Sequence, residues 1–207
     1  MVYKNLFNRL YISVIFIFIY ICISFYNFNN ILYLIIFIYL MILLEVWLNF
    51  KKYKIFIFTY LSISFIALFY IDFEEEYYSK FNLMIIIIVS FDIFSYLVGS
   101  FTGKIKLSRF ISPNKTLEGL LGGFFMSIII SIIFSYFFNI IIDLNLLIFI
   151  ILIIISAFFG DMVESIFKRL NFIKNSSNYI PGHGGFFDRF DSFVLSIFVY
   201  SIIINIL

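Results

Sequence analysis

Long apolar runs alternate with short polar breaks along the whole chain. Runs able to cross about 30 Å of hydrocarbon fall at residues 10–28, 31–50, 55–71, 82–100, 117–138, 144–160 and 187–207. They predict an all-α, polytopic integral membrane protein of about seven transmembrane helices. The breaks predict its orientation. If the N-terminus is cytoplasmic, the inside loops are 1–9, 51–54, 101–116 and 161–186. Together with Arg189 at the inner end of the last run, these loops hold thirteen of the fourteen basic residues. Only Lys80, in the acidic loop "DFEEEYYSK", lies outside. Such an asymmetry follows the positive-inside rule and puts the candidate chemistry on the cytoplasmic face.

The pattern changes character near residue 81. Residues 1–80 form three spans with little intramembrane polarity and read as a scaffold that tolerates trimming, whereas residues 81–207 hold the groups able to do chemistry. Glu45 is the exception in the first part. It lies about two turns from the Lys51–Lys54 cluster, where pairing near the interface is expected. Lys4 and Arg9 precede the first run without a small-residue cleavage site, so that run reads as an uncleaved span.

Composition sharpens the picture in one respect. Of 207 residues, 64% are apolar and 32 are Phe, which excludes a soluble domain; no nucleic-acid partner is expected, and the lipid bilayer is the surrounding medium. A nucleotide bias toward A and T would enrich Phe, Ile, Tyr, Asn and Lys, so the informative residues are those it would erase: Gly, Pro, His, Arg and Asp. All nine glycines, both prolines and the single histidine lie between Gly99 and Gly185. Cys22, the single cysteine, sits in an apolar run and reads as lipid-facing filler.

Three polar stretches remain. In "GDMVESIFKRL" (160–170), a helix continuing past Gly160 puts Asp161, Glu164, Ser165 and Lys168 on one face, with Arg169 beside it. A solvated helix end with local Glu–Lys pairing would look the same. In "PGHGGFFDRFDS" (181–192), Asp188 and Asp191 share a face at the start of the last helical pattern, beside Arg189. The preceding loop, with Gly182, Gly184 and Gly185, exposes backbone N–H groups suited to phosphate. Helix capping would explain one carboxylate; the second, together with Asp161, asks for a cation, and Mg²⁺ is commonly held by carboxylates plus substrate phosphates. His183 has no second His or Cys for zinc. In "GSFTGKIKLSRFISPNKTLEGLLGG" (99–123), Ser112, Lys115 and Thr116 surround Pro113, and Glu118-Gly119 opens a span. The Walker A spacing is absent, yet hydroxyls and cations there suit a polyphosphate. Asp92, near the inner end of its span, either faces the same place or bonds a neighbouring helix. The combination fits phosphoryl or nucleotidyl transfer to a lipid.

At these residues the sequence resembles the phosphatidate cytidylyltransferases, or CDP-diacylglycerol synthases. "SIFKRLNFIKNSSNYIPGHGGFFDRFD" (165–191) is similar to their S-x-x-K-R, K-D and P-x-H-G-G-x-x-D-R-x-D pattern with every spacing kept. "GDMVES" and "DIFSYLVGSFTGKIKLSRFISPNKTLEG" (92–119) resemble further elements of that family. The resemblance covers about residues 81–207. It implies the reaction of CTP with phosphatidate to give CDP-diacylglycerol and pyrophosphate, Mg²⁺ as cofactor with K⁺ as a candidate second cation, and the bacterial inner (cell) membrane as location; the family also admits a homodimer. It implies metal carboxylates at Asp161 and Asp188, with Asp191 and Glu164 as auxiliary ligands. Lys168, Arg169, Lys174 and Arg189 would hold phosphates, and the Ser112–Thr116 loop and His183 would shape the site. Asn175 stands where the family usually has Asp, and Leu117 where it has Trp. The competing readings are a CTP-dependent polyprenol or phytol kinase, another CDP-lipid synthase, and an ion-coupled transporter using Asp92, Asp161 and Asp188. The D-G-x-x-A-R type signature of CDP-alcohol phosphotransferases is absent.

Overall fold

The computed structural model of the chain describes residues 15, 18–24, 27–71, 75–108, 110–180 and 184–204, with backbone only at 75–77. Residues 18–24 are helical. Six further helices follow: α1 (Ile31–Asn49), α2 (Lys54–Ala67), α3 (Glu75–Thr102), α4 (Leu117–Phe137), α5 (Leu144–Leu170) and α6 (Phe187–Ile203). A short antiparallel hairpin, β1 (Lys106–Ser108) and β2 (Ser112–Thr116), joins α3 to α4 and pairs Lys106 with Thr116 and Ser108 with Ser112. Phe28–Asn49, Tyr78–Thr102, Leu117–Phe137 and Leu144–Leu170 are each long and apolar enough to cross a membrane, and Lys54–Tyr70 is a shorter apolar helix. The chain is an all-α integral membrane protein, as its hydrophobic pattern predicts. Helices suit that setting because they satisfy their backbone groups internally.

The structure departs from the pattern at two places. The sixth run, expected at 144–160, continues as helix to Leu170. At 27 residues α5 is about 40 Å long, longer than the apolar layer, so its polar last turns extend past it. The basic 101–116 break is also not a free loop. Leu117 N–H donates to Ile105 O (2.9 Å), both Glu118 carboxylate oxygens accept from Ile105 N–H (3.2 Å), and Thr116 caps α4 by accepting from Gly119 N–H (3.2 Å).

One hydrophobic cluster takes in α1, α2, α3, α5 and α6; Ile42, Ile57, Leu61, Met84, Ile150, Ile153, Phe187 and Val194 are among its fully buried members. Polar links run through it. The Tyr39 hydroxyl pairs with Ser64, whose hydroxyl donates to Val194 O. Ser156 of α5 meets Ser196 of α6 at 2.9 Å. Helix α4 packs on α3 through a stripe of small residues at every fourth position, namely Gly119, Gly123, Ser127, Ser131 and Ser135, all buried. Small side chains let two membrane helices approach closely without a hydrophobic drive. At the other helix pair, Gly160 serves the site directly: a Cβ there would lie 2.6 Å from Asp191 O and 3.1 Å from Ser192 Cα. Only glycine lets α5 and α6 touch where Asp161 and Asp191 face each other.

The end of α5 is bolted to the α1–α2 turn by Asn171. Its Oδ1 accepts from Lys51 N–H (2.8 Å) and Lys52 N–H (2.6 Å), and its Nδ2 donates to Lys52 O (3.1 Å) and Phe167 O (3.0 Å).

Candidate active site

The hairpin, the starts of α4 and α6 and the ends of α3 and α5 line an open cavity of about 810 Å³. Asp161 is the first carboxylate of α5 to face it. Its Oδ2 forms an ion pair with Lys115 of β2, and the Lys115 ammonium also lies 5.4 Å from the centre of the Phe158 ring. One turn further on, Glu164 is fully buried. Its Oε2 lies 2.6 Å from Lys168 Nζ, a charge contact without hydrogen-bond geometry, and Oε1 has no hydrogen-bond partner among the described residues. Lys168 completes the helical face by reaching Asp188 Oδ1 of α6 at 2.7 Å. One ammonium therefore joins carboxylates from two helices.

Asp161, Glu164 and Asp191 each bring a carboxylate oxygen within 4.8 Å of the others. Asp191 is further fixed by Ser192 N–H, which donates to its Oδ1 (2.6 Å). Asp188 is not a member of this trio but adjoins Glu164 through the shared Lys168 ammonium. Its Oδ2 accepts from Ser176 N–H (2.8 Å), the Ser176 hydroxyl (3.0 Å) and Gly185 N–H (2.8 Å), so it organises the loop as well as pairing with Lys168. Gly184, at φ 90°, makes the turn, and a Cβ there would lie 2.6 Å from Asp188 Oδ2.

Of the residues singled out from sequence, Asp92, Ser112, Lys115, Thr116, Asp161, Lys168, Arg169, Asp188, Arg189 and Asp191 line the one cavity, and so does Asn175. Arg169 also holds the hairpin, its Nε donating to Ile111 O (3.1 Å). Glu118 turns instead to the Ile105 backbone. Glu164, buried behind Lys168, and Lys174, Gly184 and Gly185 are not among the lining residues. His183 lies outside the described residues. Lys106 is a lining cation that the sequence reading did not single out.

The larger omission is Glu45. Far from pairing with Lys51–Lys54, this fully buried carboxylate accepts from Ser177 Oγ (2.6 Å) and Phe186 N–H (2.7 Å) at Oε1 and from Phe187 N–H (2.9 Å) at Oε2, where the Ser176 hydroxyl, its one hydrogen shared with Asp188, also lies 3.1 Å away. The backbone N–H groups of Gly185, Phe186 and Phe187, a stretch that suits phosphate, are thus divided between Asp188 and Glu45. A signal existed in the sequence. Helix α6 opens at Phe186 with no capping side chain, and orphan N–H donors in an apolar setting require an acceptor from elsewhere.

By formal count the acidic and basic residues of the site are equal in number. Asp92, Asp161, Glu164, Asp188 and Asp191 face Lys106, Lys115, Lys168, Arg169 and Arg189. An incoming polyphosphate would upset that balance unless further positive charge came with it, and three converging carboxylates with an unsatisfied buried oxygen suit a divalent cation.

A model of the cytidylyltransferase family matches residues 2–207 of this sequence. A phosphatidate cytidylyltransferase from Staphylococcus aureus (strain COL) is 41% identical over 140 residues, which cover 65% of this chain and 52% of that protein. The protein of that name from Staphylococcus haemolyticus (strain JCSC1435) is 48% identical over 105 residues, covering 48% of this chain and 39% of the relative. The alignment spans about half the length of the first of these relatives.

Proposed function

The chain belongs to the cytidylyltransferase family, and from that premise we propose that it transfers the cytidylyl group of CTP to phosphatidate, yielding CDP-diacylglycerol and pyrophosphate. The observation that carries this reading is the single cavity in which carboxylates of α5 and α6 meet the lysines of β2 and α5. Relatives named phosphatidate cytidylyltransferase support the choice of substrates.

In this reaction an oxygen of the lipid phosphate attacks the α-phosphorus of CTP. A new P–O bond forms, the bond from the α-phosphorus to the oxygen bridging it to the β-phosphorus breaks, and pyrophosphate leaves with the electron pair. The lipid phosphate is itself the nucleophile, so no covalent enzyme intermediate is required. Catalysis is then a matter of positioning and charge. Lys115 and Arg189 line the cavity and would hold phosphates, with the hydroxyl residues Ser112 and Thr116 beside them. Lys168 holds the α5 and α6 carboxylates at fixed separation. Arg169 steadies the hairpin that carries Lys115.

A divalent cation fits this donor set, because the buried Glu164 Oε1 lacks a partner among the described residues and points to an unfilled ligand. Asp161, Glu164 and Asp191 would hold it, with Asp188 adjacent through Lys168. Mg²⁺ bound there would neutralise charge developing on the departing pyrophosphate. We further propose that residues 81–207 carry the chemistry, that residues 1–80 support it, and that the site faces the cytoplasm of the bacterial inner membrane. The basic loops favour that orientation.

The test uses detergent-purified protein, radiolabelled CTP and phosphatidate. The expected result is Mg²⁺-dependent CDP-lipid formation with matching pyrophosphate release, abolished in Asp161→Asn. A folded parent that makes no CDP-lipid at any Mg²⁺ or Mn²⁺ concentration would refute the proposal.

A further inference from the structure

We infer that Glu45, from the N-terminal helices, is a positioning residue for the reaction, holding the Ser176–Ser177 loop and the first turn of α6 so that Asp188 and Lys168 keep their place. The inference rests on the nucleotidyl-transfer reading for its kinetic consequences, though not for its structural ones.

The geometry divides three consecutive backbone donors between two carboxylates. Gly185 N–H goes to Asp188, and Phe186 and Phe187 N–H go to Glu45. Ser176 links the two acids. Its backbone N–H donates to Asp188 Oδ2 at 2.8 Å, while its hydroxyl lies 3.0 Å from Asp188 Oδ2 and 3.1 Å from Glu45 Oε2. From Glu45 the connection runs through Ser176 to Asp188, from there to Lys168, and on to Glu164 in the acidic trio. Gly185 is shaped to admit it, since a Cβ at that position would lie 2.5 and 2.6 Å from the Glu45 carboxylate oxygens. A buried carboxylate that accepts from Ser177 Oγ and two backbone N–H groups, shares the Ser176 hydroxyl hydrogen with Asp188 and sits at a helix N-terminus is strongly held in place. What it fixes is one wall of the cavity, because Asn175, Asp188, Arg189 and Asp191 all lie within or beside the segments it ties.

An amide cannot take over this role. The Phe186 and Phe187 N–H groups point at different oxygens of Glu45, so Glu45→Gln sets an amide NH₂ against one backbone N–H whichever way it turns. Aspartate keeps the charge but is one methylene short.

The experiment compares the parent with Glu45→Gln, Glu45→Asp, Ser176→Ala and Glu45→Gln/Ser176→Ala in detergent. It measures CTP-dependent turnover, thermal midpoint and backbone amide exchange. Glu45→Gln is expected to lower kcat by about tenfold or more with KM for CTP little changed. Its amide exchange should rise at residues 176–180 and 184–187 and not in α5. Glu45→Asp should recover part of kcat. The double variant should be no worse than Glu45→Gln alone, because both changes break the same connection.

Glu45→Gln with parental kcat and exchange would overturn the inference. So would a Glu45→Gln that merely unfolds while Glu45→Asp and Ser176→Ala match the parent in kcat and in exchange. If the parent itself shows no turnover, the reaction proposal fails separately. Exchange then decides alone: a rise confined to the tied segments sustains the positioning role, and no rise overturns it.

Discussion

Lys168 shows at the scale of one residue how the site is held. Its ammonium lies within 2.7 Å of carboxylates on two helices, one of them the fully buried Glu164. Lys168→Met should therefore destabilise the protein by about 3–5 kcal/mol, the usual cost of leaving a buried charge without its partner. Adding Glu164→Gln should restore much of that stability without restoring turnover; thermal midpoints and CDP-lipid formation, measured side by side, check both halves. Lys168→Arg should not rescue activity, because a planar fork does not reproduce a compact charge shared by two carboxylates. This part of the site was legible in the sequence. Asp161, Glu164 and Lys168 share one helical face, and local spacing reveals such a face without any knowledge of the fold. Glu45 was not legible in the same way. Its partners lie 131 to 142 positions away, while nearby lysines offered a sufficient local explanation.

Gly160 carries the argument to the scale of elements, because it sets the contact between α5 and α6. Gly160→Ala would push a methyl group against the Asp191 carbonyl and the Ser192 backbone. The expected cost is about 1–3 kcal/mol from overpacking, read as a lower thermal midpoint. Turnover should fall further than the midpoint suggests, since the displacement opens the gap between Asp161 and Asp191. The four helices long enough to cross a membrane could be read from the apolar runs with errors of a few residues at most ends, while most of the first run lies outside the described residues. The end of α5 was legible only through the polar face it carries, because hydropathy stops at Gly160 and Asp161 while the hydrogen-bonded helix runs on for ten residues. The β1–β2 hairpin was hidden: "SPNKT" shows no alternation, and the strand is fixed by Glu118 and Leu117 gripping Ile105 from the start of α4.

For the molecule as a whole, the helices before residue 81 share one hydrophobic cluster with those after it. A chain starting at residue 81 would lack Glu45, Tyr39 and Ser64 together, and it is expected to show no turnover and a broadened thermal transition even if it inserts into a bilayer. Mg²⁺ offers a second whole-molecule measurement. At a concentration 100 times its dissociation constant a bound ion adds about 2.7 kcal/mol of stability, so millimolar Mg²⁺ should raise the parent's thermal midpoint. It should leave that of an Asp161→Asn/Asp191→Asn variant unchanged. The long reach of Glu45 also has a consequence for biosynthesis. At roughly 5–20 residues per second, the ribosome needs about 7–30 s after making Glu45 to make the amides of Phe186 and Phe187. Through nearly all of that interval the carboxylate has none of its eventual partners, so a nascent or interrupted chain holds an unassembled site, and on the proposed reading CTP turnover is expected only once the helix beginning at Phe187 docks.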